Sequence, residues 1–213
     1  GITESASTPA KPKGGKIDQR PHTVDPNQTK QPLSPIQPTH LKLMDSSPED
    51  GELSESHDND TPTTPPGTNS EANDTVVRMA RHYWTSLGQP DKQVIISRKN
   101  AYHGSTMAGA SLSGMSAMHA QGGLPIPDIT HIGQPYWYQD GGADSREGHG
   151  LKMAQELEQK INELGEHRVA AFIAEPIQGA GGVVIPPDTY WPEISDICRR
   201  YQILLVADEV ICG

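Results

Sequence analysis

Asp208 and Glu209 carry the most chemistry per residue in this sequence. They close the run "ILLVADEV" (203–210), in which an apolar stretch delivers two carboxylates at its end. Two other apolar runs behave alike. Val94–Ser97 leads into Tyr102, His103 and Gly104, and Val169–Ala174 leads into Glu175, Pro176 and Gln178. A carboxylate can hold a cation or a proton, an aromatic can stack on a flat ligand, and an amide can orient either. If the three runs are parallel strands, their carboxyl ends share one sheet edge, where ligands bind in open α/β sheets. The pattern points to a small-molecule site. Each residue also has a plainer reading: Asp208 as a cap or ion-pair partner, Tyr102 as packing, His103 as a loop histidine. His119 and His131 lack a partner at metal-ligand spacing and read as structural.

Two familiar motifs fail on context. "QGAGGVV" (178–184) has the glycines of a phosphate loop, but no helical pattern follows it. "GASLS" (109–113) approaches a nucleophile elbow, but Ser113 stands where the second glycine belongs, so a serine hydrolase is a poor second reading.

The elements that would position these residues alternate. "SEANDTVVRMARHYWTSLG" (70–88) places Val76, Val77, Ala80, Tyr83, Trp84 and Leu87 on one helical face. Ser70 is the expected N-cap, with Glu71 and Asp74 in the first turn and Gly88 as the stop. Free N–H groups at such a helix start favour an anion, with a phosphate the natural candidate. "STMAGASLSGMSAMHA" (105–120) reads as a helix weakened by glycines, and 121–150 as a long loop. "LKMAQELEQKINELG" (151–165) is a clear amphipathic helix, and "YWPEISDICRRY" (190–201) is another. Strands apolar on both faces, alternating with helices, predict an α/β fold with a mainly parallel sheet flanked by helices.

Residues 1–66 are a different material. Eleven of the nineteen prolines lie there and all ten aromatics lie outside it, so the segment is expected to be a disordered or non-native Pro/Ser/Thr-rich tail. The domain is therefore drawn at 67–213. The net charge of −10 and the lack of basic runs argue against nucleic acid or anionic membrane as partners. No stretch is long and apolar enough to span a bilayer. Two cysteines outside any CxxC pair fit a reducing, cytoplasmic setting. Residue 1 is Gly rather than Met, which fits a processed N-terminus or a fragment.

From about Asn69 onward, "SEANDTVVRMARHYW", "ISRKNAYHGST", "AEPIQGAGGVVIPP" and "LLVADEVICG" resemble, in order, the blocks of class III aminotransferases of the fold-type I pyridoxal phosphate enzymes. Within that family the chain is most similar to enzymes moving the terminal amino group of an ω-amino acid or polyamine to pyruvate. The resemblance implies pyridoxal 5′-phosphate as cofactor, an amino donor and a keto acid as substrates, and a homodimer or dimer of dimers. It implies that Asp208 faces the pyridine nitrogen, Tyr102 stacks on the ring with Val210 on its other face, and Ser70 marks the helix start that holds the phosphate. His103, Gly104 and Glu175 belong to the same cofactor site. Ala180 stands where the ornithine-type branch carries a glutamate. The family reads Ser-Gly-Ser before Glu-Ala-Asn, whereas "GTNSEAND" is two residues shorter. The family's Schiff-base lysine lies tens of residues beyond the position of Asp208, and Lys92, Lys99, Lys152 and Lys160 match other positions. The expectation is a partial large domain with no catalytic residue of its own, inactive alone. The alternative is a truncated, non-catalytic fragment or interaction module.

Overall fold

The computed structural model describes residues 41–43 and 68–213. In chain order the elements are β1 (Leu41–Leu43), α1 (Asn69–Ser86), β2 (Val94–Arg98), α2 (Met107–Leu112), α3 (Ser116–His119), β3 (Ile129–Ile132), α4 (Trp137–Asp140), α5 (Arg146–Leu164), a 3-10 turn (Glu166–Arg168), β4 (Val169–Ala174), α6 (Tyr190–Arg200) and β5 (Leu204–Asp208). The five strands form one sheet in the order β1-β5-β4-β2-β3, and every neighbouring pair is parallel. The predicted α/β fold is observed.

Helices cover both faces, as a parallel sheet requires. On one face α5 and α6 pack Leu157, Ile161, Ile194 and Ile197 against Ile96 and Phe172. On the other, α1 packs Val76, Val77, Ala80 and Trp84 against Ile95 and Ile173. The Trp84 indole also donates to the Ala170 carbonyl at 2.8 Å, fixing α1 to the central strand. β2 and β4 are buried along their whole length. β5 is less enclosed: Val206 and Asp208 are buried while Leu204, Leu205 and Ala207 are half-buried, so the expectation of two covered faces holds there only in part.

Four departures have physical reasons. The long loop expected over 121–150 contains β3, α4 and the start of α5. "ITHI" escapes a hydrophobic count because Thr130 and His131 sit half-buried on an edge strand. The helix expected over 105–120 is two short ones, broken where Gly114 crosses the loop after β2. A Cβ there would lie 2.6 Å from Lys99 Cα. The cap of α1 is Thr68, not Ser70: the Thr68 N–H donates to Glu71 Oε2 at 2.7 Å, and the Thr68 side chain accepts from the Glu71 N–H. Finally, β1 lies within 1–66, where no strand was expected; the rest of that segment and Gly67 lie outside the described residues. Among the described residues no helix is long and apolar enough to cross a membrane.

Lys92 anchors the opposite, amino-terminal edge. Its ammonium donates to the Tyr201 and Gln202 carbonyls at 3.4 and 2.8 Å and lies 4.2 Å from the Trp84 ring centroid. Burial pulls its pKa down to about 8, with Glu166 opposing the shift. A lysine whose folded pKa is lowered must release its proton on folding in this window. The penalty is present in full below about pH 8 and fades as pH rises. Chemical unfolding should therefore show stability rising by roughly 1–3 kcal/mol from about pH 8 to 10. Lys92→Met should abolish that slope; an unchanged slope would refute the assignment.

Candidate active site

Because β2, β4 and β5 are parallel, the loops after them meet at one edge, and α1 begins beside it. Asp208 stands at the centre, 1% exposed. Its Oδ2 accepts three bonds: from His103 Nδ1 at 2.8 Å, Asn73 Nδ2 at 2.9 Å and Asn69 Nδ2 at 3.2 Å. Among the described residues Oδ1 receives only the long Val210 N–H contact, at 3.4 Å. Burial pushes the Asp208 pKa up. The His103 contact and the Asn73 and Asn69 amides outweigh it, and the net shift is downward. Asp208 is thus a carboxylate at neutral pH, with one oxygen saturated and the other holding one long contact among the described residues.

The loop after β2 is shaped around α1. Gly104 has φ +117, and a Cβ there would lie 2.7 Å from Ser70 Cα, so only glycine permits the approach. Ser70 Oγ accepts the Ser105 N–H at 3.2 Å. The capping box of Thr68 and Glu71 starts α1, and the N–H groups of Asn69 and Ser70 in the first turn have no intrahelical partner. These donors, with the helix dipole, suit an anion.

Glu175 is 1% exposed and works on the backbone. Its Oε1 accepts the Tyr102 N–H at 3.2 Å and its Oε2 accepts the Gly179 N–H at 2.8 Å. Its own carbonyl accepts from Arg98 Nη2. Gln178 donates to the Lys99 carbonyl at 2.9 Å, joining the same two loops. Tyr102 and Val210, both partly exposed, offer apolar surface at this edge. The arrangement can hold a flat, protonated heterocycle by one edge and an anionic arm at the helix start.

The structure thus brings Ser70, Tyr102, His103, Gly104, Glu175, Asp208 and Val210 to one sheet edge. Sequence reasoning missed Asn69 and Asn73, although their i, i+4 spacing places both on one face of α1. The Glu209 carbonyl accepts the Cys212 and Gly213 N–H groups at 2.9 and 2.6 Å. Lys152 and Lys160 pair with Asp144 and Glu163, Lys92 serves the far edge, and Lys99 is exposed. His131 Nε2 lies 3.0 Å from the Leu112 carbonyl and its ring is 5.0 Å from that of His119. Among the described residues no group of three or more ligands could hold a metal. Ser111 is buried, donates to the Met107 carbonyl and accepts the Ile126 N–H, which removes it as a nucleophile.

Glu175→Ala would strip two backbone donors of their acceptor. It should destabilise the fold by about 1–3 kcal/mol in urea unfolding. A change within error of zero would show that the Tyr102 loop does not depend on it.

The Aminotransferase class-III family profile matches residues 56–213, beginning ahead of the stretch that carries the resemblance. Putrescine–pyruvate aminotransferase of Pseudomonas aeruginosa is 64% identical over 147 residues, covering 69% of this chain and 32% of that protein. Gamma aminobutyrate transaminase 2 of Solanum lycopersicum is 48% identical over 145 residues, covering 68% of this chain and 32% of its own. A solved omega transaminase from Pseudomonas jessenii in complex with PMP matches at a TM-score of 0.67 and 49% identity, covering 68% of this chain and 32% of that one. A transaminase structure with L-ala matches at 0.67 and 50% identity, covering 68% and 35%. The chain spans about a third of the length of the curated relatives it matches. With fold, ordered motifs and family profile in agreement, the chain belongs to the class-III aminotransferases.

Proposed function

We propose that the chain forms the cofactor-binding part of an aminotransferase that moves an amino group from an ω-amino acid or polyamine to pyruvate or a similar keto acid. The similarity to a putrescine–pyruvate aminotransferase supports the donor and acceptor classes. The observation that carries the reading is Asp208: a buried carboxylate whose Oδ2 takes three donors while Oδ1 takes one long contact among the described residues.

Pyridoxal 5′-phosphate, when bound, supplies an electron sink for negative charge at the substrate carbon. The residues present fit that group. Asp208 would hold a proton on the ring nitrogen, because an adjacent anion favours the cationic form. The first-turn N–H groups of Asn69 and Ser70 would receive the phosphate, and Tyr102 and Val210 would flank the ring. Glu175 keeps the Tyr102 backbone in place from below. The resemblance assigns the lysine that completes the reaction to none of Lys92, Lys99, Lys152 and Lys160, and the 213 residues alone are expected to bind the cofactor without turnover. Exposed Met107, Ile185 and Ile211 would suit cover by a second copy, and a cytoplasmic homodimer is part of this reading.

The test is alanine formation from putrescine and pyruvate by the polypeptide that carries these residues. Activity is expected, and Asp208→Ala should lower kcat/KM by about 100-fold or more. No product from any diamine or ω-amino acid would overturn the proposal. Turnover by the 213 residues alone would overturn the exclusion of their lysines.

A further inference from the structure

Asn73 is wholly buried and belongs to α1, 135 residues from Asp208 in sequence. Its amide nitrogen gives both donors to the site: one to Asp208 Oδ2 and one to the His103 carbonyl, each at 2.9 Å. Both neighbours are acceptors, so the opposite amide orientation would set oxygen against oxygen at two contacts. The amide oxygen of Asn73 meanwhile has no partner among the described residues. A buried acceptor left unmet is a cost that calls for an explanation. Here the side chain spends both donors on this hub and leaves its own acceptor unserved. Asn69, one turn earlier, adds the 3.2 Å bond to the same oxygen. His103 supplies the third, and Asn73 also fixes the backbone from which His103 reaches.

A carboxylate oxygen has about two lone-pair directions, so three donors leave Oδ2 no capacity for a ligand. We infer that Asn73, assisted by Asn69, is a positioning residue that holds Asp208 with Oδ2 engaged and Oδ1 turned to the ring nitrogen of the cofactor. The inference rests on the pyridoxal phosphate reading above. It adds that one rigid helix sets both contacts: α1 offers its first-turn N–H groups to the phosphate and its Asn69 and Asn73 amides to the carboxylate.

The experiment compares two ligands on the full chain: pyridoxal 5′-phosphate and its carbocyclic analogue, in which C–H replaces the ring nitrogen. Affinities are read by equilibrium fluorescence titration. The unmodified chain should prefer the nitrogen-bearing ligand by about tenfold or more, as expected for a charge-assisted hydrogen bond. Asn73→Ala should cut that preference to about twofold or less while changing affinity for the analogue little. Asn69→Ala should give a smaller cut. A merely structural asparagine would weaken both ligands equally and keep the preference, which would overturn the inference but not the cofactor reading. An unmodified chain that binds both ligands without preference, or neither, would overturn the ring-nitrogen contact and the inference with it. Should Asn73→Ala fail to fold, Asn73→Ser, with one donor fewer, and Asn69→Ala decide: full preference in both would overturn the inference.

Discussion

A negative charge buried without compensation is among the costliest things a fold can contain. Asp208 is such a charge, and the surrounding structure is organised around its compensation. Its strand, β5, has neighbours on both sides, so its carboxyl end lies within the sheet edge. The three donors to its Oδ2 come from two segments distant in sequence, α1 and the loop after β2. Both must arrive in register for the carboxylate to stay ionised. The close approach of Gly104 to Ser70 brings those segments together. A larger residue at 104 would separate them, and His103 would lose its reach.

A second buried charge stitches the same edge from the other face. Arg98 is fully buried and forms no ion pair among the described residues. Its guanidinium lies 5.9 Å from the Tyr190 ring centroid and 5.6 Å from that of Trp191, and it donates to the Glu175 carbonyl. Cation–π contacts of this kind are stronger when desolvated. Arg98 therefore ties the end of β2 to the turn after β4, where the Glu175 side chain takes hold of Tyr102. The backbone of the aromatic that would meet a cofactor thus rests on two layers of contacts.

Much of this was legible from residue types. β4 is an unbroken apolar run and β2 opens with three apolar residues, Val94–Ile96, as strands covered on both faces do. The chemistry at their ends followed from the shared direction of the strands. Other features were hidden for physical reasons. β3 is short, at an edge, and half polar, so its periodicity is weak. The cap of α1 moved to Thr68 because the Thr68–Glu71 pair satisfies two donors at once, which a cap at Ser70 would not. Asn69 and Asn73 carry no distinctive local signal beyond their spacing, and only the fold shows that Asp208 lies opposite them. The resemblance supplied roles for Asp208 and Tyr102, while the structure supplied the partners that hold them.

The central claim is that Asp208 keeps a cofactor ring nitrogen protonated. Pyridoxal 5′-phosphate labelled with 15N in its ring, bound to the chain at neutral pH, tests it directly by NMR. The account predicts the chemical shift of a pyridinium and a resolved one-bond N–H coupling. An unprotonated pyridine resonance in the bound state would contradict it.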